Sequence, residues 1–297
     1  MTTPRQILRG TTYLVTRRCS RREFLLRPSA TTNGIFQYVL AVAARRFGIR
    51  VHAFCVLSNH YHLVVTDPEA RLPAFGQYLD SLVARAVNAT IGRWESFWAP
   101  SSYSAVALVS PADIVSKAAY VLANPVAAGL VRRGSAWPGL RSAPEQIGSG
   151  AIAAPRPTTF FRAGGGMPEA AHLELVAPDA FESPREFRDR LVEAVSVLEE
   201  RAHLALASAG RAFLGVARIL AQNGARPTRG EPRRKLSPRV ASHDTWKRVE
   251  ALSRLKAFVR AYRDAWSAMR AGVLDVLFPA GTYALRVLHG VRCAAPA

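Results

Sequence analysis

Along the first 130 residues, apolar positions alternate in short runs that are separated by stretches where they recur every three or four residues. "TTYLVTRRC" (11–19) is rich in β-branched and aromatic residues and predicts a strand. In "TNGIFQYVLAVAARRFG" (32–48), Ile35, Phe36, Val39, Leu40 and Ala43 share one helical face, and Gly48 stops the helix. "RVHAFCVL" (50–57) and "HYHLVVT" (60–66) predict two strands joined at Ser58-Asn59 as a hairpin. A second helix fits 71–92, opening near Pro73 and closing at Gly92, and "YSAVALV" (103–109) predicts a fourth strand. Ser110 caps a third helix with Pro111 at its first position; Pro125 predicts its end near Asn124.

The order is β-α-β-β-α-β plus one helix, which predicts an α+β, ferredoxin-like (split βαβ) domain over 1–145. Residues 146–182 are rich in proline and glycine and read as a linker. Residues 183–297 read as a mainly helical, basic C-terminal region, with long helices from 183 and over 244–271 and "GRAFLGVARILAQ" also helical. Its end, "LFPAGTYALRVLHGV", reads as a turn followed by a strand.

Composition sharpens this picture. Of 297 residues 49% are hydrophobic, enough for a real core, and the net charge is +19 with a pI near 11.1. Such an excess points to a polyanionic partner, nucleic acid before an acidic membrane surface, although an arginine-rich genome gives the same bias. Cys19, Cys55 and Cys293 show no zinc or disulfide spacing, which fits a reducing compartment. No apolar run approaches the roughly 18–20 residues of a membrane span, so a cytoplasmic, nucleoid-associated protein with no membrane partner is expected.

The candidate chemistry starts at "LSNHYHLVV" (57–65). Residues two apart in a strand share a face, so His60 and His62 project side by side while Tyr61 points into packing. Paired imidazoles suit one divalent metal, and two hydrogen-bonded structural histidines give the same pattern. In "YVLANPVAAGLV" (120–131), Tyr120 and Asn124 are one helical turn apart on one face. A phenol with a pKa of about 10 is a poor nucleophile, but beside a metal that polarises a phosphate it can attack phosphorus.

Together these stretches resemble the HUH endonucleases, and within them the single-tyrosine transposases that include the REP-associated tyrosine transposases. "TTYLVTRR" and "WPGLRS" (137–142) match further family segments, and the resemblance covers about residues 8–145. It implies an HUH nuclease domain with an added catalytic helix that nicks and rejoins single-stranded or hairpin DNA through a 5′-phosphotyrosine. Carried over, Tyr120 is the nucleophile, His60 and His62 hold Mg²⁺ or Mn²⁺, and Asn124 is the third ligand, one methylene shorter than the family's usual glutamine. Tyr61 stands where the family has a small aliphatic residue. Relatives include both monomers and homodimers.

Arg17, Arg18, Arg21 and Arg22 follow the first strand and are candidate phosphate contacts. Trp94 and Trp98 are candidate stacking platforms for unpaired bases, at about 1–3 kcal/mol each, or else core residues. Arg233, Arg234 and Lys235 lie in a basic break that reads as a duplex grip or a charged linker. Two other functions fit the same residues: a hairpin-binding regulator without catalysis, and a metal-dependent nuclease that uses water.

Overall fold

The computed structural model describes residues 4–224 and 238–295. Its centre is a sheet built from β1 (Thr11–Arg18), β2 (Arg50–Leu57), β3 (His60–Asp67) and β4 (Ser104–Leu108). The strands lie in the order β2-β3-β1-β4, all antiparallel, as a split βαβ unit requires. A short β7 (Val240–Ala241) then joins β4 in parallel and makes a mixed five-stranded sheet.

Helices cover both faces. On one, α1 (Ala30–Phe47) and α2 (Leu72–Ile91) pack together and meet the sheet through contacts such as the edge-on pair Phe36–Tyr61, at 5.3 Å between ring centres. Against the other lies α3 (Pro111–Ala127), over β2 and β3. Each helix start has a chemical cause. Ser29 accepts from Thr32 N at α1, and Ser110 with Asp113 forms a capping box at α3. At α2 no side chain of the N-cap residue serves; instead the buried Asp67 carboxylate at the end of β3 accepts from Arg71 N (2.8 Å) and Leu72 N (2.7 Å). Gly48 and Gly92 end α1 and α2 in the left-handed conformation.

Pro125 does not end α3 as expected. The helix runs through it to Ala127. Proline loses one backbone donor, but its φ suits a helix, and Ala128 N donates to Asn124 O at 2.9 Å to close the last turn. Burial of Asn124, Pro125 and Val126 outweighs the bias of the pre-proline position against helix.

Residues 146–182, expected as a Pro/Gly-rich linker, are folded onto the domain. They carry β5 (Ala151–Pro155) and β6 (Ala170–Glu174), an antiparallel hairpin laid against α1. Ala154, Phe161, Ala171, Leu173, Leu175 and Phe181 from this stretch are buried in the same core as the sheet. Its prolines and glycines shape turns in a packed segment. The next helix, α4 (Pro184–Ser208), lies along α3, and its Phe187 and Leu191 also belong to that core, so packing shows no break at 182.

The remaining chain departs from expectation twice. Within 210–222 only α5 (Val216–Leu220) is helical, because Gly215 at φ +85° interrupts it and Leu214 N and Gly215 N donate to Gly129 O and Leu130 O. Near the end, Ala284–His289 forms a helix (α7) stopped by Gly290, in place of the expected strand. It follows α6 (Thr245–Arg270), and Leu285 joins Ala265 and Phe278 in a small separate cluster. No helix among the described residues is long and apolar enough to cross a membrane.

His52 ties the hairpin of β2 and β3 to the segment after β6. It is fully buried, with Nδ1 2.7 Å from Val176 O and Nε2 2.7 Å from Thr66 Oγ1. Burial lowers its pKa from 6.5 to about 4. Folding therefore loses stability as pH falls from 6.5, where the unfolded imidazole takes up a proton, toward 4; the loss approaches about 3 kcal/mol. Urea unfolding across this range should show His52→Leu with lower stability at neutral pH and a shallower slope than the parent. An unchanged slope would contradict the assignment.

Candidate active site

The site grows from strand register. In the pairing of β1 with β3, Thr16 faces His62, Arg17 faces Tyr61 and Arg18 faces His60. Alternation sends His60 and His62 toward α3 and Tyr61 toward α1 and α2. The two imidazoles sit 4.8 Å apart between ring centres and nearly perpendicular, and His62 is 5.4 Å from the ring of Tyr120.

Each imidazole is oriented by a neighbour. His60 Nδ1 lies 2.6 Å from Asn59 Oδ1, an acceptor, so Nδ1 carries the proton and Nε2 keeps its lone pair. His62 Nδ1 lies 2.8 Å from Thr16 Oγ1; with Nδ1–H donating there, Nε2 also presents a lone pair. His62 Nε2 is buried and has no hydrogen-bond partner. Burial, then the charge of Arg18, pushes His60 down to about 4, while burial and then His60 push His62 well below its ordinary value. Both are therefore neutral at pH 7, the form that binds a metal.

Tyr120 projects from α3 with 42% of its surface exposed, so its ring is open on one side. Crowding around its hydroxyl raises its pKa, partly offset by a hydrogen bond with Asn124 one turn on. The phenol is thus protonated at neutral pH.

The donor set for a cation is narrow. Among the described residues no three His, Cys, Asp or Glu side chains gather. Two imidazole nitrogens face α3, where the Asn124 side chain hydrogen-bonds to Tyr120. Such a set leaves several coordination positions open, which suits a catalytic ion and would not close a structural site. The orphaned Nε2 of His62, which would otherwise cost about 1–3 kcal/mol, fits this use.

The structure sorts the remaining candidates. Arg18 lies on the histidine face. Arg17 lies on the opposite face, 3.5 Å from Asp80 and over the ring of Trp98, so it is not at this site. Arg21 and Arg22 sit in a short turn with left-handed φ of 50° and 60°. Arg21 lines an open cavity of about 840 Å³ together with Arg27, Arg93 and Trp94, which is 94% exposed. Trp98 is a correction: it is only 8% exposed, donates from Nε1 to Asp80 O at 2.9 Å and packs edge-on to Tyr61 and Phe97. It closes the core and has no face free for a base. Arg233, Arg234 and Lys235 lie outside the described residues. Thr16 and Asn59, which hydrogen-bond the Nδ1 atoms of His62 and His60, are not among the residues the sequence singles out. Asn59 adjoins His60 in sequence, but Thr16 becomes visible only once the strand register is known.

Over 47% of this chain and 81% of the other, the fold is similar to a REP-associated tyrosine transposase solved with a REP hairpin, at 21% identity and a TM-score of 0.40. A candidate transposase from Deinococcus radiodurans is similar over 36% of this chain and 85% of its own, at 19% identity and a TM-score of 0.28. No protein-family model and no curated protein matches the sequence.

The two tryptophans offer a direct check of this sorting. Trp98→Ala should cost about 3–5 kcal/mol of stability and Trp94→Ala no more than about 0.5 kcal/mol, read by urea unfolding. Equal effects would mean that one of them is misplaced.

Proposed function

We propose that the chain is a metal-dependent enzyme that nicks and rejoins single-stranded DNA, at hairpin-forming sites, through a phosphotyrosine on Tyr120. One observation carries the reading: the buried, partnerless Nε2 of His62 stands beside the His60 ring and the ring of an exposed tyrosine. The family resemblance of "LSNHYHLVV" and "YVLANPVAAGLV" and the net charge of +19 support it.

His60 and His62, with Asn124, would hold a divalent ion, Mn²⁺ or Mg²⁺, which when bound supplies charge to polarise the scissile phosphate. Imidazole donors favour Mn²⁺ of the two. The protein's own part is positional. Burial keeps the imidazoles neutral, Thr16 and Asn59 aim them, and α3 carries the Tyr120 hydroxyl. The Tyr120 oxygen attacks phosphorus, a bond forms to the 5′ phosphate, and the bond to the 3′ oxygen breaks. The phenolic proton leaves to solvent at the open rim, and the departing 3′ oxygen takes one up. Rejoining reverses these changes with another 3′ hydroxyl, so no nucleotide triphosphate is consumed. Arg18, on the same face as the histidines, is placed to attract the DNA backbone.

Labelled single strands flanking a hairpin, incubated with Mn²⁺ and run on denaturing gels, test the proposal. A covalent protein–DNA adduct is expected, and Tyr120→Phe should abolish it while leaving DNA binding within a few fold. Cleavage without an adduct would show water as the nucleophile. Tight binding without cleavage would show a regulator.

A further inference from the structure

Seven side-chain polar atoms among the described residues are buried without a hydrogen bond. One is His62 Nε2. Four others belong to Arg5, Arg17, Tyr103 and Arg239, which act on one another on the far side of the sheet. Arg5, Arg17 and Tyr103 line a cavity of about 810 Å³ that also includes Ile7, Asp80 and Trp98. Because Arg17 faces Tyr61 in the strand pairing, this cavity opens on the face opposite the histidines.

The charges there do not balance. Arg5 donates through Nη2 to Tyr103 O (3.0 Å) and stacks over the Tyr103 ring, which leaves Nη1 unused. Arg17 Nε has only a 3.5 Å contact with Asp80. Asp80, the carboxylate in this wall, already accepts from Tyr61 at 2.7 Å. Arg239 adds its charge from the residues leading into β7. Crowding partly buried guanidinium groups around one carboxylate, with single nitrogens of each left without a hydrogen bond, is costly unless an anion joins them. Apolar walls from Ile7, Pro73 and Ala84 adjoin these donors.

We propose that this cavity binds a phosphate monoester carried on a flat ring: a nucleoside monophosphate, or the phosphorylated end of a nucleic acid strand. Arg5, Arg17 and Tyr103 hold the phosphate as charge-assisted donors, Arg239 reinforces the field, and the ring lies against the apolar wall. The site is separate from the His60–His62–Tyr120 face and does not depend on what that face does.

Calorimetric titration in EDTA at constant ionic strength tests this with four probes: dAMP, deoxyadenosine, and a six-thymidine strand with and without a 5′ phosphate. The intact protein should bind a phosphorylated probe at least about tenfold more tightly than its unphosphorylated counterpart. Arg5→Gln and Tyr103→Phe should each remove about that preference. Tyr103→Phe keeps the ring that packs under Arg5, so it decides the matter if Arg5→Gln fails to fold. Preference for dAMP identifies a free nucleotide as ligand, and preference for the phosphorylated strand identifies a strand end; either supports the site. Equal binding with and without phosphate, or unchanged phosphate preference in Tyr103→Phe, would overturn it.

Discussion

The antiparallel pairing of β1 with β3 decides which residue meets which across the whole centre of the molecule. Thr16 stands opposite His62 and hydrogen-bonds to its Nδ1, and Arg18 stands opposite His60. A slip of one residue would turn both imidazoles into the α1–α2 layer and bring Tyr61 to the other face. That slip is opposed by burial of Tyr61 against Phe36 and Trp98 and by its hydrogen bond to Asp80. The apolar and polar contacts of one face thereby hold the chemistry of the other.

The second requirement is a fixed α3. Its start is held by Ser110 and Asp113, and Asp113 also accepts from His243 N at 2.7 Å. His243 Nε2 meets Ser116 Oγ at 2.9 Å, one turn before Tyr120. Near its end, Arg141 Nε donates to Leu122 O at 2.8 Å, and α4 lies along its length. Segments that follow it in the chain, as far on as His243, thus brace the helix that carries Tyr120. The ring at 120 stays exposed while the backbone beneath it is pinned, as the proposed attack on a DNA strand would require.

Most of the first half was legible in the sequence because its signals are local. Strand alternation, Ser110 with Pro111, and the stop at Gly48 each depend on a few neighbouring residues. His60 and His62 share a face for the same reason. At Pro125 burial overrides a local preference, and in residues 146–182 turn-forming residues sit within a packed segment, which composition does not reveal. Trp98 could be read either way until its indole was seen bonded to Asp80 O. Thr16, and the meeting of Arg5, Arg17 and Tyr103, depend on contacts far apart in sequence, which no local pattern encodes.

Electron spin-echo spectroscopy of bound Mn²⁺ addresses the convergence at His60, His62 and Tyr120 most directly, because it counts nitrogen nuclei coordinated to the ion. Two imidazole couplings are expected in the intact protein and one in His62→Ala. A Mn²⁺ signal without imidazole coupling, or one unchanged by His62→Ala, would contradict a metal site on this face of the sheet.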